Sequence, residues 1–364
     1  MQIALTKKLA DAMGVKLSSE SNGENPLFSW TANWTNVWDN RKREDMLVLV
    51  NNATRFAVAI YQVKRKDLKN VAELMKTAIS NTLLSMNFNP EMVEEYLCLA
   101  GEVCFIQNRS RQRASWVTKA GVDCAFYVAD EYNGIAEMFS DTVGLSANDY
   151  SVSFNSPTDR HIPYQVMVTA LSELTGKRAY KYRAFELEVI LDLEAYKAVR
   201  RLIVPASFGL KNLHKVLQRV FGWQNYHLYD FTILDHRGKL VSRMVPFEDD
   251  LAYDTDATLI REHTLAEFFP EHKHMIYTYD MGDNWEHDIH LIRVIEEHDE
   301  ESPYLLEATG QAPPEDVGGV GGFVNFREII LNPSHPQYGE VKEWAKYWTI
   351  ELSDWQRRPR VIRV

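Results

Sequence analysis

Alternation and helical spacing divide the chain into two stretches of mixed structure. Residues 46–50 and 55–61 are β-rich runs around Asn51-Asn52-Ala53-Thr54, which predicts a hairpin. Asp67 can cap a helix reaching about Leu84, with Val71, Leu74, Met75, Ile79, Leu83 and Leu84 on its apolar face. Pro90 suits the first turn of a following helix over 91–98, where its missing N–H costs nothing. Trp30, Trp34 and Trp38 recur every four residues and read as a packed helical stripe.

The pattern weakens from 129 to 159, where Asp130-Glu131-Tyr132-Asn133-Gly134 and Ser151-Val152-Ser153-Phe154-Asn155-Ser156-Pro157 read as linker. Pro163 then opens a helix with Met167, Ala170, Leu171 and Leu174 on one face and Gly176 at its C-cap. Lys181, Arg183, Phe185, Leu187, Val189 and Leu191 share one face of a strand, with Glu186 and Glu188 on the other. A helix over 210–221 buries Leu213, Val216, Leu217 and Val220. Strands are expected over 227–234 and 239–244, then the acidic loop Glu248-Asp249-Asp250 and a helical stretch over 257–269. Runs at 275–279 and 285–294 flank Asp280-Met281-Gly282-Asp283-Asn284, whose Gly and Asn tolerate the positive φ of a tight hairpin turn. Helices over 326–331 and 339–348 and a basic tail close the chain. The expected fold is α+β in two domains, each a mainly antiparallel sheet with packed helices. The first covers 1–128, a linker and connecting helix cover 129–176, and the second domain covers 177–364.

A length of 364 residues agrees with two domains, at about 100–200 residues each. No apolar run approaches the ~18 residues of a membrane span, and the start lacks the layout of a secretory signal. Cys98, Cys104 and Cys124 match no zinc or disulfide framework, so a reducing cytoplasm is the expected location. Charge is uneven. Residues 1–150 hold 16 Lys and Arg against 18 Asp and Glu, whereas residues 151–364 hold 24 against 33. The acidic part should repel a phosphate backbone. If nucleic acid binds, it binds the first part, at Arg41-Lys42-Arg43, Lys64-Arg65-Lys66 or, above all, Arg109, Arg111 and Arg113; the plainer reading of each run is a solvated face.

Three later segments carry more than filler: Phe221-Gly222-Trp223-Gln224-Asn225-Tyr226-His227-Leu228-Tyr229, Tyr279-Asp280-Met281-Gly282-Asp283-Asn284-Trp285-Glu286-His287, and Pro313-Pro314-Glu315-Asp316-Val317-Gly318-Gly319, followed by Asn332-Pro333-Ser334-His335-Pro336. Their order and spacing resemble the Ri-plasmid ORF-three-like family, also labelled transposon-passenger TnpR, over roughly 177–350. Tyr229 stands where that family often has a second His, and Met281 replaces its usual Phe. The first ~128 residues resemble, more weakly, a separate domain family through Thr6-Lys7-Lys8-Leu9, Val50-Asn51-Asn52-Ala53-Thr54 and Asn108-Arg109-Ser110. What the resemblance implies is mostly negative: its labels describe a plasmid or transposon setting rather than a reaction, and the sequence shows no serine-recombinase constellation of nucleophile and arginines.

The sharpest constellation is Asp280, Asp283, His287, Glu315 and Asp316, with His227 as a further member. Carboxylates and imidazole can hold a divalent metal whose open position activates water, which would make a metal-dependent hydrolase or nuclease. Alternatively, Asp280 and Asp283 bond turn N–H groups, and His287, beside Trp285 and Ile289 on one strand face, is a core histidine tied to a carboxylate. The glycine run lacks a P-loop ending and reads as a tight turn. His272 and His274, beside Glu271 and Lys273, read as solvent-facing, and His287 and His290 should point to opposite strand faces. No organic cofactor is expected. The leading functional expectation is a non-enzymatic recognition or adaptor module, with Trp223, Tyr226, His227, Tyr279 and Trp285 lining a groove for a protein or peptide partner.

Overall fold

The computed structural model describes residues 1–18, 25–37, 46–131, 146–252, 254 and 256–363, and divides the chain into two compact units, Met1–Lys181 and Tyr182–Val364. No described helix is long and apolar enough to cross a membrane. Trp38, Asn133-Gly134 and the basic run Arg41-Lys42-Arg43 lie outside the described residues.

The first unit contains β1 (Gln2–Leu5), α1 (Lys7–Met13), β2 (Ser29–Thr35), β3 (Met46–Asn51), β4 (Ala57–Tyr61), α2 (Val71–Ser85), α3 (Pro90–Ala100), β5 (Cys104–Gln107) and α4 (Arg111–Glu131). A small ribbon, β6 (Val152–Ser153) with β7 (Arg160–His161), precedes α5 (Pro163–Thr175), which packs on α3. The strand order is β4-β3-β2-β1-β5. β3 and β4 form the expected hairpin, whose turn is ordered by Asn51 accepting from the N–H groups of Ala53 and Thr54, each at 3.0 Å. The sheet is mixed, because β1 runs parallel to both β2 and β5. Trp30 and Trp34 lie on β2 rather than on a helix. A spacing of four fits period two as well as period 3.6, and burial decides: Trp30 is fully enclosed and donates to the Tyr96 hydroxyl at 3.0 Å.

The second unit contains β8 (Tyr182–Asp192), β9 (Lys197–Pro205), α6 (Leu210–Phe221), β10 (Tyr229–Leu234), β11 (Leu240–Val245), β12 (Thr258–Leu259), α7 (Leu265–Phe268), β13 (His274–Tyr279), β14 (Trp285–His298), β15 (Tyr304–Thr309), α8 (Gly319–Ile330), α9 (Tyr338–Trp344), α10 (Asp354–Arg357) and β16 (Arg360–Val361). The sheet order is β12-β11-β10-β13-β14-β8-β9-β15-β16, antiparallel except between β11 and β12. One face is apolar, as the alternation predicts. Leu187, Val189 and Leu191 line up across the register with Ile289, His287, Tyr277 and Phe231 in one core that includes Leu213, Val216 and Leu217 of α6. On the polar face Glu186 is buried between Arg201 and Arg293.

The stretch expected as one helix over 257–269 breaks into β12, a 3-10 turn and the single turn of α7. A capping box between Thr264 and Glu267 starts the chain afresh there, and Pro270 follows within two residues of its end. α8 also begins earlier than expected. Its first turn is the glycine run itself, entered through Gly318 at φ 92°.

Candidate functional site

Three loops meet at one end of the second unit, and each is held by its own local chemistry. The first follows α6. Gly222 ends that helix at φ 82°, and Arg200, fully buried, donates from Nε to the Val220 carbonyl at 2.7 Å. Beneath the loop lies a closed polar network. His214 Nδ1 lies 2.8 Å from the Tyr277 hydroxyl and Nε2 lies 2.8 Å from Asn225 Oδ1, while the His214 ring stacks on Tyr229 at 3.6 Å. Gln218 bridges the Tyr277 hydroxyl and the Asn225 N–H. This network fixes Asn225 in its left-handed conformation and thereby aims Tyr226 and His227. Tyr229 therefore belongs to the support, not to the site.

The second loop is the β13–β14 turn. Asp280, at φ 58°, accepts from the N–H groups of Gly282 (2.9 Å) and Asp283 (3.3 Å) through Oδ1. Its other oxygen, Oδ2, lies 3.5 Å from His227 Nε2. The turn-bonding and ligand readings thus apply to different oxygens of one buried carboxylate. Asp283 points elsewhere: its Oδ2 accepts from the Gly318 N–H at 3.1 Å and ties the hairpin turn to the start of α8. It lies outside the group formed by His227, Asp280 and Asp316.

The third loop carries Glu315 and Asp316. Glu315 Oε1 accepts from the Gln224 N–H at 2.6 Å and from the Tyr279 hydroxyl at 3.1 Å. That hydroxyl in turn accepts from the Tyr226 N–H at 3.0 Å, so one buried tyrosine links all three loops. Burial raises the Glu315 carboxyl above its ordinary range, opposed by its hydrogen bonds from Gln224 and Tyr279 and by His227, with Asp316 adding to the rise. Burial likewise raises the Tyr279 phenol.

His227 Nε2 therefore faces Asp316 Oδ1 at 3.1 Å, Asp280 Oδ2 at 3.5 Å and Glu315 Oε2 at 3.9 Å. It lies outside hydrogen-bond geometry to all described residues. Ligand atoms of His227, Asp280 and Asp316 all fall within 4.8 Å of one another. Beside them opens a cleft of about 340 Å³, its lining shared by Glu315, Asp316, Pro313, Trp344, Tyr347 and Trp348 among others.

His287 does not join this cluster. It is fully buried, packs edge-on against Phe221 at 4.6 Å, and its Nδ1 lies 3.0 Å from the Trp285 carbonyl oxygen and 3.2 Å from that of Tyr277. It is the core histidine of the alternative reading, bonded to backbone rather than to a carboxylate. Of the expected aromatic groove, Trp223, Tyr279 and Trp285 are core: Trp285 is fully enclosed and Trp223 stacks on it at 5.8 Å. Only Tyr226, 68% exposed, and the edge of His227 face solvent. Rings on the inner face of a sheet under a helix pack, which is why these aromatics line no groove.

A second cluster lies on the polar face, where His274 Nε2 is 2.9 Å from Asp288 Oδ1 and the His274 and His290 rings stack at 4.5 Å. Residue by residue these look solvent-facing. The available signal was the hairpin register, which sets His274 opposite His290 with Asp288 two residues away on the same face.

Residues 183–357 match the model of the plasmid pRiA4b ORF-3-like protein family, and residues 2–165 match a domain of unknown function, DUF6933. The uncharacterized protein y4hQ of Sinorhizobium fredii (strain NBRC 101917 / NGR234) is 39% identical over 164 residues, which are 44% of this chain and 79% of that protein. The chain belongs to the plasmid pRiA4b ORF-3-like family. A crystal structure of a protein of unknown function, MM3350 from Methanosarcina mazei Go1, covers 48% of this chain and 97% of its own at 26% identity, with a TM-score of 0.43. All three loops of the site fall within the family match.

The glycines after Asp316 set how closely these loops approach. A Cβ on Gly319 would sit 2.8 Å from the Asp283 carbonyl oxygen, and one on Gly322 would collide with that of Val317. Gly322→Ala is therefore expected to destabilise the unit by about 2 kcal/mol or more, read as a lowered Tm. An unchanged Tm would show that the turn relaxes freely.

Proposed function

We propose that the second unit holds a divalent cation at His227, Asp280 and Asp316 and uses it to activate water against a substrate seated in the adjoining cleft. The supporting observation is the imidazole nitrogen of one loop facing three carboxylates drawn from the other two, with no Lys or Arg among their ion pairs with described residues. One nitrogen and carboxylate oxygens suit Mn²⁺ or Zn²⁺. A cation there would lower the pKa of a bound water, and Glu315, raised by burial, would take its proton. The surplus of acidic groups favours an amide or ester substrate over a phosphodiester. The three thiols, all free, fit a reducing cytoplasmic setting.

Chelator-stripped protein titrated calorimetrically with Mn²⁺ or Zn²⁺ is expected to bind one ion per chain. His227→Ala and Asp316→Asn should each weaken binding by about tenfold or more, roughly one lost ligand interaction, while Tm holds. Equal affinity in the variants, or no uptake by the parent chain, removes the cation reading. A recognition module is the second reading, favoured by Trp344 and Tyr347 standing exposed around the cleft. It predicts capture of a protein partner that survives chelator and is lost with Tyr347→Ala.

A further inference from the structure

We infer that the first unit binds a phosphate monoester of a small molecule at the carboxyl ends of β1 and β5. These strands are parallel neighbours, and the chain leaves them toward opposite faces of the sheet. After β5 it enters α4, whose Val117 and Cys124 pack on the face carrying Met46, Val48 and Val50. After β1 it enters α1, which contacts the 3-10 turn leading into α2. α2 packs with α3, and α3 lies on the other face, where Tyr96 meets Trp30. Adjacent parallel strands whose connections diverge in this way open a crevice at their carboxyl ends, the usual ligand position in such sheets.

The crevice is there. A cavity of about 370 Å³ is lined by Ala4, Ile106, Gln107 and the run from Asn108 through Ser110, Gln112 and Arg113, including Arg109. That volume suits a small ligand. No acidic side chain lines it, and two guanidinium groups do. Arg109 is exposed and forms no ion pair or hydrogen bond with a described residue. Asn108 braces the loop by accepting from the Ser110 N–H at 3.1 Å, so Arg109 projects from a defined turn, while Arg113 follows in the first turn of α4. The planar fork of Arg109 is matched to phosphate oxygens. Charge selects the size of the ligand. Residues 1–150 carry 16 basic against 18 acidic groups, so the arginines form a local spot rather than a stripe able to follow a polymer backbone.

The test uses the full chain, with AMP, inorganic phosphate and a single-stranded oligonucleotide as probes in calorimetric titrations. AMP is expected to bind saturably and more tightly than phosphate. Arg109→Ala should weaken AMP by about tenfold, the loss of one charge-assisted contact, with Tm unchanged. Lys64→Ala, on a separate basic run, should leave affinity unaltered. Four results would each overturn the inference: no saturable AMP binding, equal affinities for AMP and phosphate, equal affinities in parent and Arg109→Ala, or an oligonucleotide that binds where AMP does not.

Discussion

Trp285→Ala is expected to destabilise the second unit by about 3–5 kcal/mol, the cost of truncating a fully enclosed Trp whose cavity closes only in part. Trp285 has no exposed surface, stacks on Trp223 and shares a core with Tyr277, Tyr279 and Phe221. Set against a total of about 5–15 kcal/mol for a typical domain, that loss is a large fraction. It should lower Tm by roughly 10 °C or more and collapse the near-ultraviolet circular dichroism. Tyr226→Ala, on an exposed ring one loop away, should change stability by no more than about 0.5 kcal/mol. A Trp285→Ala protein that melts with the parent chain would contradict the packing described above. The contrast also guides partner experiments: a partner lost with Trp285→Ala reports unfolding, whereas one lost with Tyr226→Ala or Tyr347→Ala reports a surface.

Element type in the second unit was legible because its patterns are strong. The alternation from Phe185 to Leu191, the apolar stripe of α6 and the Asp280–Asn284 turn each have one structural solution. The motifs mark Asp280, Glu315 and Asp316 as candidates, with His227 as a further member, but no sequence pattern says that their loops meet. What misled was local neighbourhood. His287 and Asp283 sit within the same motif as Asp280, yet strand alternation turns His287 into the core, and Asp283, inside the turn that aims Asp280, directs its own carboxylate to the Gly318 N–H. Period two and proximity in sequence compete, and the pleat wins. The parallel placement of β1 was not legible at all, because a four-residue strand, Gln2–Leu5, carries too little pattern to declare its direction. The crevice beside Arg109 follows from that placement, so the arginine run could be seen in the sequence but its setting could not. His214 was hidden for another reason: it lies on the apolar face of α6, where its partners Tyr277 and Asn225 come from elsewhere in the chain.

Acid should weaken the second unit through two buried histidines. Burial lowers His287 to about 4, against the pull of the Tyr277 and Trp285 carbonyls. Burial also lowers His214 to about 4, with Lys215 and Lys211 adding and Asn225 opposing. In the unfolded chain both imidazoles take up protons near pH 6.5, the ordinary histidine value. Between pH 6.5 and about 4 the unfolded state therefore binds more protons than the folded one. Stability is complete above that window and falls as the pH drops through it. Each histidine accounts for about 3 kcal/mol across the whole interval. Glu315 acts in the opposite sense, since a raised carboxyl favours the folded state as it protonates, but one such group offsets only part of two histidines. Denaturant unfolding followed by tryptophan fluorescence should give a free energy that drops by up to about 2.7 kcal/mol per pH unit in the middle of the window, the slope for two protons. His214→Gln should halve that slope if the variant folds, and His287→Gln, across Tyr277 in the same core, offers the same test. A free energy that stays level from pH 6.5 to 5 would mean that water reaches these rings, and the closed network beneath Asn225 would then not be what holds the His227 loop in place.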